Sequence, residues 1–304
     1  MTVSEIAHAD TRGKGEDHMP TDWAITSTPM RASYSICELA LGVPVESSAI
    51  HPPIIDLCSP SASHDPRYPG VPVEACADAR RIVNDAFHWH SVHFPVATPP
   101  DASGVRRPAI DYIDVRLTGE GELLSASSAE VPGRILLGAP WPAECTYRLA
   151  SLIAHEAIHQ GLFVREAVAT PVRRGSLGYS PWRRRTRPGR LVWHAFWTFT
   201  CQFSLLADAV TRRPAMLHEE PGLLGFIAAM PPRVECCLDS LTQFRVVDPP
   251  ELDRCGDALH LVRTATGRLA AFPRFSAKLQ EEEQTTANDY RAWADQVLSN
   301  RKSG

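Results

Sequence analysis

The chain has 304 residues, 44% of them hydrophobic and 22% charged, with a formal net charge of −4. That length can bury a real core in one large domain or two modest ones, and the near-neutral balance excludes a general pull toward nucleic acid or membrane surfaces. No apolar run approaches the roughly 18 residues of a membrane span, and residues 1–20 are polar without a signal-peptide core, so a cytoplasmic protein is expected. The eight cysteines are scattered without a Cys-x-x-Cys pair, which predicts reduced core residues rather than a zinc ribbon.

Residues 1–30 lack periodicity and read as an irregular lead-in. Over 33–57 short apolar runs alternate with Pro44, Pro52 and Pro53, with a helix expected around 36–41, and 60–72 is a loop by composition. Ala75, Ala79, Ile82, Val83 and Ala86 fall at helical spacing and predict a helix over 73–88. His88, His90 and His93 follow closely and superficially resemble the metal-binding run of metallo-β-lactamase-like hydrolases. That run carries an aspartate before its third histidine, where this chain has Val92. The plainer expectation is a helix end and a strand whose histidines bond locally or face water. The Pro-, Gly- and Asp-rich stretch 99–107 then divides an N-terminal lobe, 1–98, able to read the substrate, from a metal-binding catalytic domain, 99–304, with a C-terminal helical cap.

Alternating polar and apolar residues predict a half-buried strand over 110–117, a turn at 119–122 and a second strand over 133–138. The next helix, expected to start near Trp141 and Pro142, carries His155-Glu156-Ala157-Ile158-His159. Residues four apart share one helix face, so both imidazoles can grip one metal ion with Glu156 directed to the same place. Tyr147, Leu149, Leu152, Ile153, Ile158 and Leu162 make this helix apolar nearly all round, as burial requires. Seven arginines between Arg173 and Arg190 follow, read as a solvated basic loop in which one or two present a planar fork to a carboxylate beside the metal. A second apolar helix over 191–207 holds Trp193 and Trp197 one turn apart. His194, its only ionisable residue over three turns, is the candidate third ligand. Helices are expected over 221–230 and 234–244, separated by Pro231 and Pro232, over 253–270, and over 275–298. The fold class is α+β, mostly helical with a small central sheet and a metal site between two buried helices.

A His-Glu-x-x-His helix by default predicts a zinc metallopeptidase with Glu156 as general base. Two common completions are missing. Leu162 and Arg165 stand where one extension has glycine and histidine, and Glu166 is expected on the same helix rather than on a later one. The longer pattern is His155-Glu156-x-x-His159-Gln160, Tyr179-Ser180-Pro181-Trp182-Arg183, Arg187-Pro188 and Leu191-Val192-Trp193-His194. It resembles the HExxH-type peptide β-hydroxylases that depend on iron and 2-oxoglutarate and modify ribosomally made peptides, over about 149–203. The resemblance implies Fe(II) held by His155, His159 and His194, the 2-oxoglutarate carboxylate on Arg183 or Arg187, and a peptide substrate, with or without a leader. Three imidazoles leave positions for a bidentate keto acid and O₂. Glu156 then orients a ligand or itself coordinates. A third reading makes the protein a peptide-binding scaffold with structural histidines.

Overall fold

Small β-branched residues on alternating positions build a short mixed sheet, against which long apolar segments pack as helices. The computed structural model describes residues 38–41, 53–57, 75–93, 110–117, 125–139 and 145–302. Strands β1 (Ile54–Asp56), β2 (Tyr112–Leu117), β3 (Ser125–Ser127) and β4 (Arg134–Ala139) form one sheet in the order β1-β2-β4-β3. β1, β2 and β4 run parallel, and β3 is the antiparallel edge. Ile113, Val115, Ile135 and Leu137 enter the core from one face.

The opposite face of β2 differs from the half-buried strand its alternation predicts, because Asp114 and Arg116 are buried as well. They are tolerated because they are paired. Arg116 reaches Asp114 at 3.3 Å and Asp56 at 3.9 Å, Arg134 binds Asp114, and the Tyr112 hydroxyl donates to Asp56 at 2.8 Å.

β1 follows two prolines and has no alternation of its own, so it was not anticipated. It pairs with β2, and helix α1 (Cys76–His93) packs on helix α2 (Thr146–Val168), so described parts of 1–98 and of 99–304 share one sheet and one core. α1 continues through His93, so no strand begins after His88. Two positions apart on a helix, His88 and His90 point to different sides: His88 is exposed, whereas His90 is buried against Phe87 and burial pushes its imidazole down to about 3. The expectations for 1–30, 60–72 and 99–107 lie outside the described residues.

α2 is buried over most of its circumference, as its composition requires. It begins after Cys145, later than expected from Trp141 and Pro142, and Cys145 supplies no side-chain cap. Glu220 takes that role from a distant segment, accepting from the Tyr147 N–H at 2.8 Å and binding the Arg148 side chain. A carboxylate there satisfies free N–H groups and complements the helix dipole.

The arginine-rich stretch is a hairpin rather than a loop. Strands β5 (Leu177–Ser180) and β6 (Arg185–Pro188) pair antiparallel, with Arg184 at φ 49° in the turn. Helix α3 (Gly189–Arg212) starts directly from β6. A Cβ on Gly189 would lie 2.2 Å from Ser176 Oγ and 2.5 Å from Val246 Cγ1, so only glycine permits this close approach.

Helices α4 (Met216–Glu219), α5 (Leu223–Ala228), α6 (Met230–Gln243), α7 (Pro249–Leu269) and α8 (Pro273–Lys302) complete the cap. Pro231 and Pro232 sit in the first turn of α6 instead of separating two helices; a missing N–H is harmless there. Gly267 lies inside α7, whose start is capped by Asp248 accepting from the Glu251 N–H at 2.9 Å. The chain is thus α+β and mostly helical, with one small central sheet. Cys145, Cys201, Cys236, Cys237 and Cys255 are free and buried, as expected for those five. Among the described residues no helix is long and apolar enough to cross a membrane.

Candidate metal centre

α2 and α3 pack side by side and bring the predicted histidines together. Donor atoms of His155, Glu156 and His159 all lie within 4.8 Å of one another, a group able to hold a metal ion. His194, on α3, stands beside this group: its Nδ1 is 2.8 Å from His159 Nδ1. That contact is a hydrogen bond, so His194 borders the group without belonging to the set whose donor atoms converge. Burial pushes the imidazoles of His155 and His159 down, to about 4 and about 3, with His159 and His194 adding to the effect at His155, and His194 and Arg190 at His159. Burial also lowers His194, opposed by Glu166. At neutral pH these rings are therefore uncharged, the form that ligates a metal.

The orientation of His155 can be traced atom by atom. The Ser151 hydroxyl donates to the Arg148 carbonyl at 2.7 Å, so its oxygen is free to accept from Gln202 Nε2 at 2.9 Å. Gln202 thereby turns its Oε1 to His155 Nδ1 at 3.2 Å. An amide oxygen only accepts, so the proton of His155 is on Nδ1 and its lone pair is on Nε2. Gln202 is a residue that sequence reading missed. Its signal was present: His194, Thr198 and Gln202 recur every four residues and form a polar stripe on an otherwise apolar helix.

Glu156 is held from the sheet. The Ser125 hydroxyl donates to its Oε1 at 2.6 Å and the Ser127 hydroxyl to its Oε2 at 2.5 Å. β3 supplies both because alternate residues of a strand point the same way. Three small residues give no hydrophobic pattern, which is why neither the strand nor its role was foreseen. Removing both hydroxyls leaves a buried carboxylate short of two donors. Ser125→Ala with Ser127→Ala should lower stability to urea by roughly 1–3 kcal/mol; an unchanged urea midpoint would mean that the clamp contributes nothing.

These groups line a cleft of about 670 Å³ between β3, α2, α3 and the β5–β6 hairpin. Trp182 stacks on Phe199 with ring centroids 3.7 Å apart, and Phe199 packs edge-on against His155 at 4.7 Å, so one wall is aromatic. Another is cationic, made by Arg183, Arg187, Arg190 and Arg233. Arg190 pairs with Glu166 at 2.7 Å and Arg233 with Glu282 at 3.2 Å. Arg183 and Arg187 have no ion-pair partner among the described residues. Arg187 is also half-buried, and its charge is disfavoured by that burial and by Arg183 and Arg185. Arg165, by contrast, lies in the core with Glu251.

No protein-family model matches this chain, and no curated protein is similar to it.

Proposed function

We propose that this protein is an Fe(II)- and 2-oxoglutarate-dependent oxygenase that hydroxylates a side-chain carbon, the β-carbon foremost, of a ribosomally made peptide. The observation that carries the reading is the half-buried Arg187 guanidinium, without a counter-ion among the described residues, in the same cleft as three neutral histidines. Such a group favours a bound carboxylate over water, since a fork of N–H donors matches that shape. Uncharged His155, His159 and His194 suit a divalent cation of intermediate softness, and three imidazoles leave room for a chelating keto acid.

In this reading iron, 2-oxoglutarate and O₂ together supply the oxidant: the peptide C–H becomes C–OH, and 2-oxoglutarate becomes succinate and CO₂. The chain's own residues bind and orient. Arg187, with Arg183 beside it, holds the far carboxylate of 2-oxoglutarate. Gln202 fixes the lone pair of His155 on Nε2, and Ser125 and Ser127 keep Glu156 beside the donor atoms. Trp182 and Phe199 shield the site from water. β3, the edge strand of the described sheet, lines the cleft and suits an extended peptide.

Iron-loaded, anaerobically prepared protein should convert 2-oxoglutarate to succinate when O₂ is admitted with a peptide encoded beside the gene; no succinate would refute the proposal. Arg187→Leu should weaken 2-oxoglutarate binding roughly ten- to a hundredfold, from about 1.5–3 kcal/mol for hydrogen bonds to a charged group, as read by calorimetry on the iron-loaded protein. An unchanged affinity would move the carboxylate site elsewhere. A zinc peptidase is the second reading, favoured by the closeness of Glu156 to the donor atoms of both histidines. It predicts cleavage of the peptide in place of oxygen gain.

A further inference from the structure

Arg183 sits in a turn that its neighbours pin down. Its N–H donates to the Ser180 carbonyl at 3.1 Å between strands β5 and β6. On one side Trp182 stacks on Phe199 of α3; on the other Arg184, at φ 49°, pairs with Asp289 of α8 at 3.0 Å. Trp293 of α8 also donates from Nε1 to Thr186 Oγ1 at 2.9 Å. The Arg183 side chain itself is exposed, lines the cleft and has no ion-pair partner among the described residues. Charge around the cleft does not balance. Arg190 and Arg233 are paired with Glu166 and Glu282. Of the acidic residues that line the cleft, Glu156 is engaged by Ser125 and Ser127, and Glu130 pairs with neither remaining arginine. Those two arginines repel, since Arg183 and Arg185 both disfavour the charge of Arg187. One carboxylate on Arg187 answers one of the charges and leaves Arg183 over.

We propose that Arg183 is a specificity-determining residue that selects an acidic peptide, by pairing with an Asp or Glu side chain next to the residue that enters the cleft. A guanidinium presents a planar fork of donors that matches a carboxylate, and a pinned turn holds the backbone of that fork in place before the peptide arrives. The two free arginines differ in depth. Arg187 is half-buried and suits a small acid enclosed in the cleft, whereas the exposed Arg183 meets a side chain that comes in from solvent. Selection works by repulsion as well as attraction: a Lys or Arg on the peptide meets the unanswered charge of Arg183, with Arg185 on the same hairpin. A charge at the rim of a binding site acts chiefly on the rate of encounter and on its salt dependence.

This inference rests on the peptide reading above, in which Arg187 is given to 2-oxoglutarate, and its test separates the two. Calorimetry with three short peptides capped at both ends, built of repeating Asp-Leu, Asn-Leu or Lys-Leu, reads the choice directly. At low salt the Asp-Leu peptide should bind about five- to twentyfold more tightly than the Asn-Leu peptide, the range for a charge-assisted contact weakened by exposure, and the Lys-Leu peptide should bind least. The preference should shrink in about 0.5 M salt and persist when Co(II) and excess 2-oxoglutarate are present. Arg183→Ala should erase it and Arg183→Glu should turn it toward the Lys-Leu peptide, while Arg185→Ala should keep most of it. Equal binding of the three peptides, no binding of the Asp-Leu peptide, or a preference that survives Arg183→Ala would overturn the proposal. So would a preference lost on adding Co(II) and 2-oxoglutarate, which would put the acidic side chain on Arg187. Acidic preference without succinate formation would sink the oxygenase reading and leave this one standing; succinate formation without acidic preference would do the reverse.

Discussion

Alanine at either His155 or His159 should abolish stable metal binding and all turnover while leaving a folded protein. Each ring contributes one donor to the group within 4.8 Å, and losing a donor is worse than losing an outer partner, for which about 10–100-fold is typical. The fold should survive because the loss is local. His155→Ala leaves Gln202 Oε1 without its donor, at about 1–3 kcal/mol, and opens space beside Phe199. Circular dichroism alongside metal analysis checks both halves: native ellipticity with no bound metal is the expected pair. Full metal occupancy in both variants would make the histidines structural, as in the scaffold reading.

The largest effect on stability belongs to a residue outside the cleft. Glu251, 2% exposed, gathers three helices onto one carboxylate: Trp193 Nε1 donates to it at 2.6 Å, Trp197 Nε1 at 2.8 Å, and Arg165 of α2 forms a buried ion pair with it. Trp193 precedes His194, so this carboxylate also ties the α3 donor to the helix that bears His155 and His159. Glu251→Ala strands a buried guanidinium and two indole N–H groups. Breaking a buried pair from one side costs about 3–5 kcal/mol, which is a large part of a typical domain's stability. Urea unfolding should show a loss of that size. Glu251→Gln should fall between, since an amide oxygen still accepts but leaves Arg165 uncompensated. A loss below about 1 kcal/mol would mean that the three donors find other acceptors.

The helices of the centre were legible because their signals are local. His155 and His159 four apart on an apolar helix, and His194 alone on the next, required only helical periodicity, and the structure puts all three rings side by side. The groups that hold these side chains in place were hidden for physical reasons. Ser125 and Ser127 reach Glu156 across about thirty positions of chain, through a three-residue strand with no pattern of its own. Gln202 leaves a trace in its spacing from His194, whereas Glu166 sits on the same helix as His155 and His159 and so cannot be a ligand from a later helix. Helicity through His93 replaces the helix end and strand expected over this run, and His88 and His90, two apart on a helix, diverge. The basic stretch folds as a hairpin instead of a loop, its arginines lie on that hairpin, at the start of α3 and along the cleft, and pairing with Glu166 or Asp289 decides which remain available for an anion.

The most direct test of the account is the mass of a peptide encoded beside the gene after incubation with iron-loaded protein, 2-oxoglutarate and ¹⁸O₂. Gain of one labelled oxygen atom, absent in Arg187→Leu at limiting 2-oxoglutarate, is the predicted result. Two fragments formed without any need for 2-oxoglutarate would contradict it and make the centre hydrolytic.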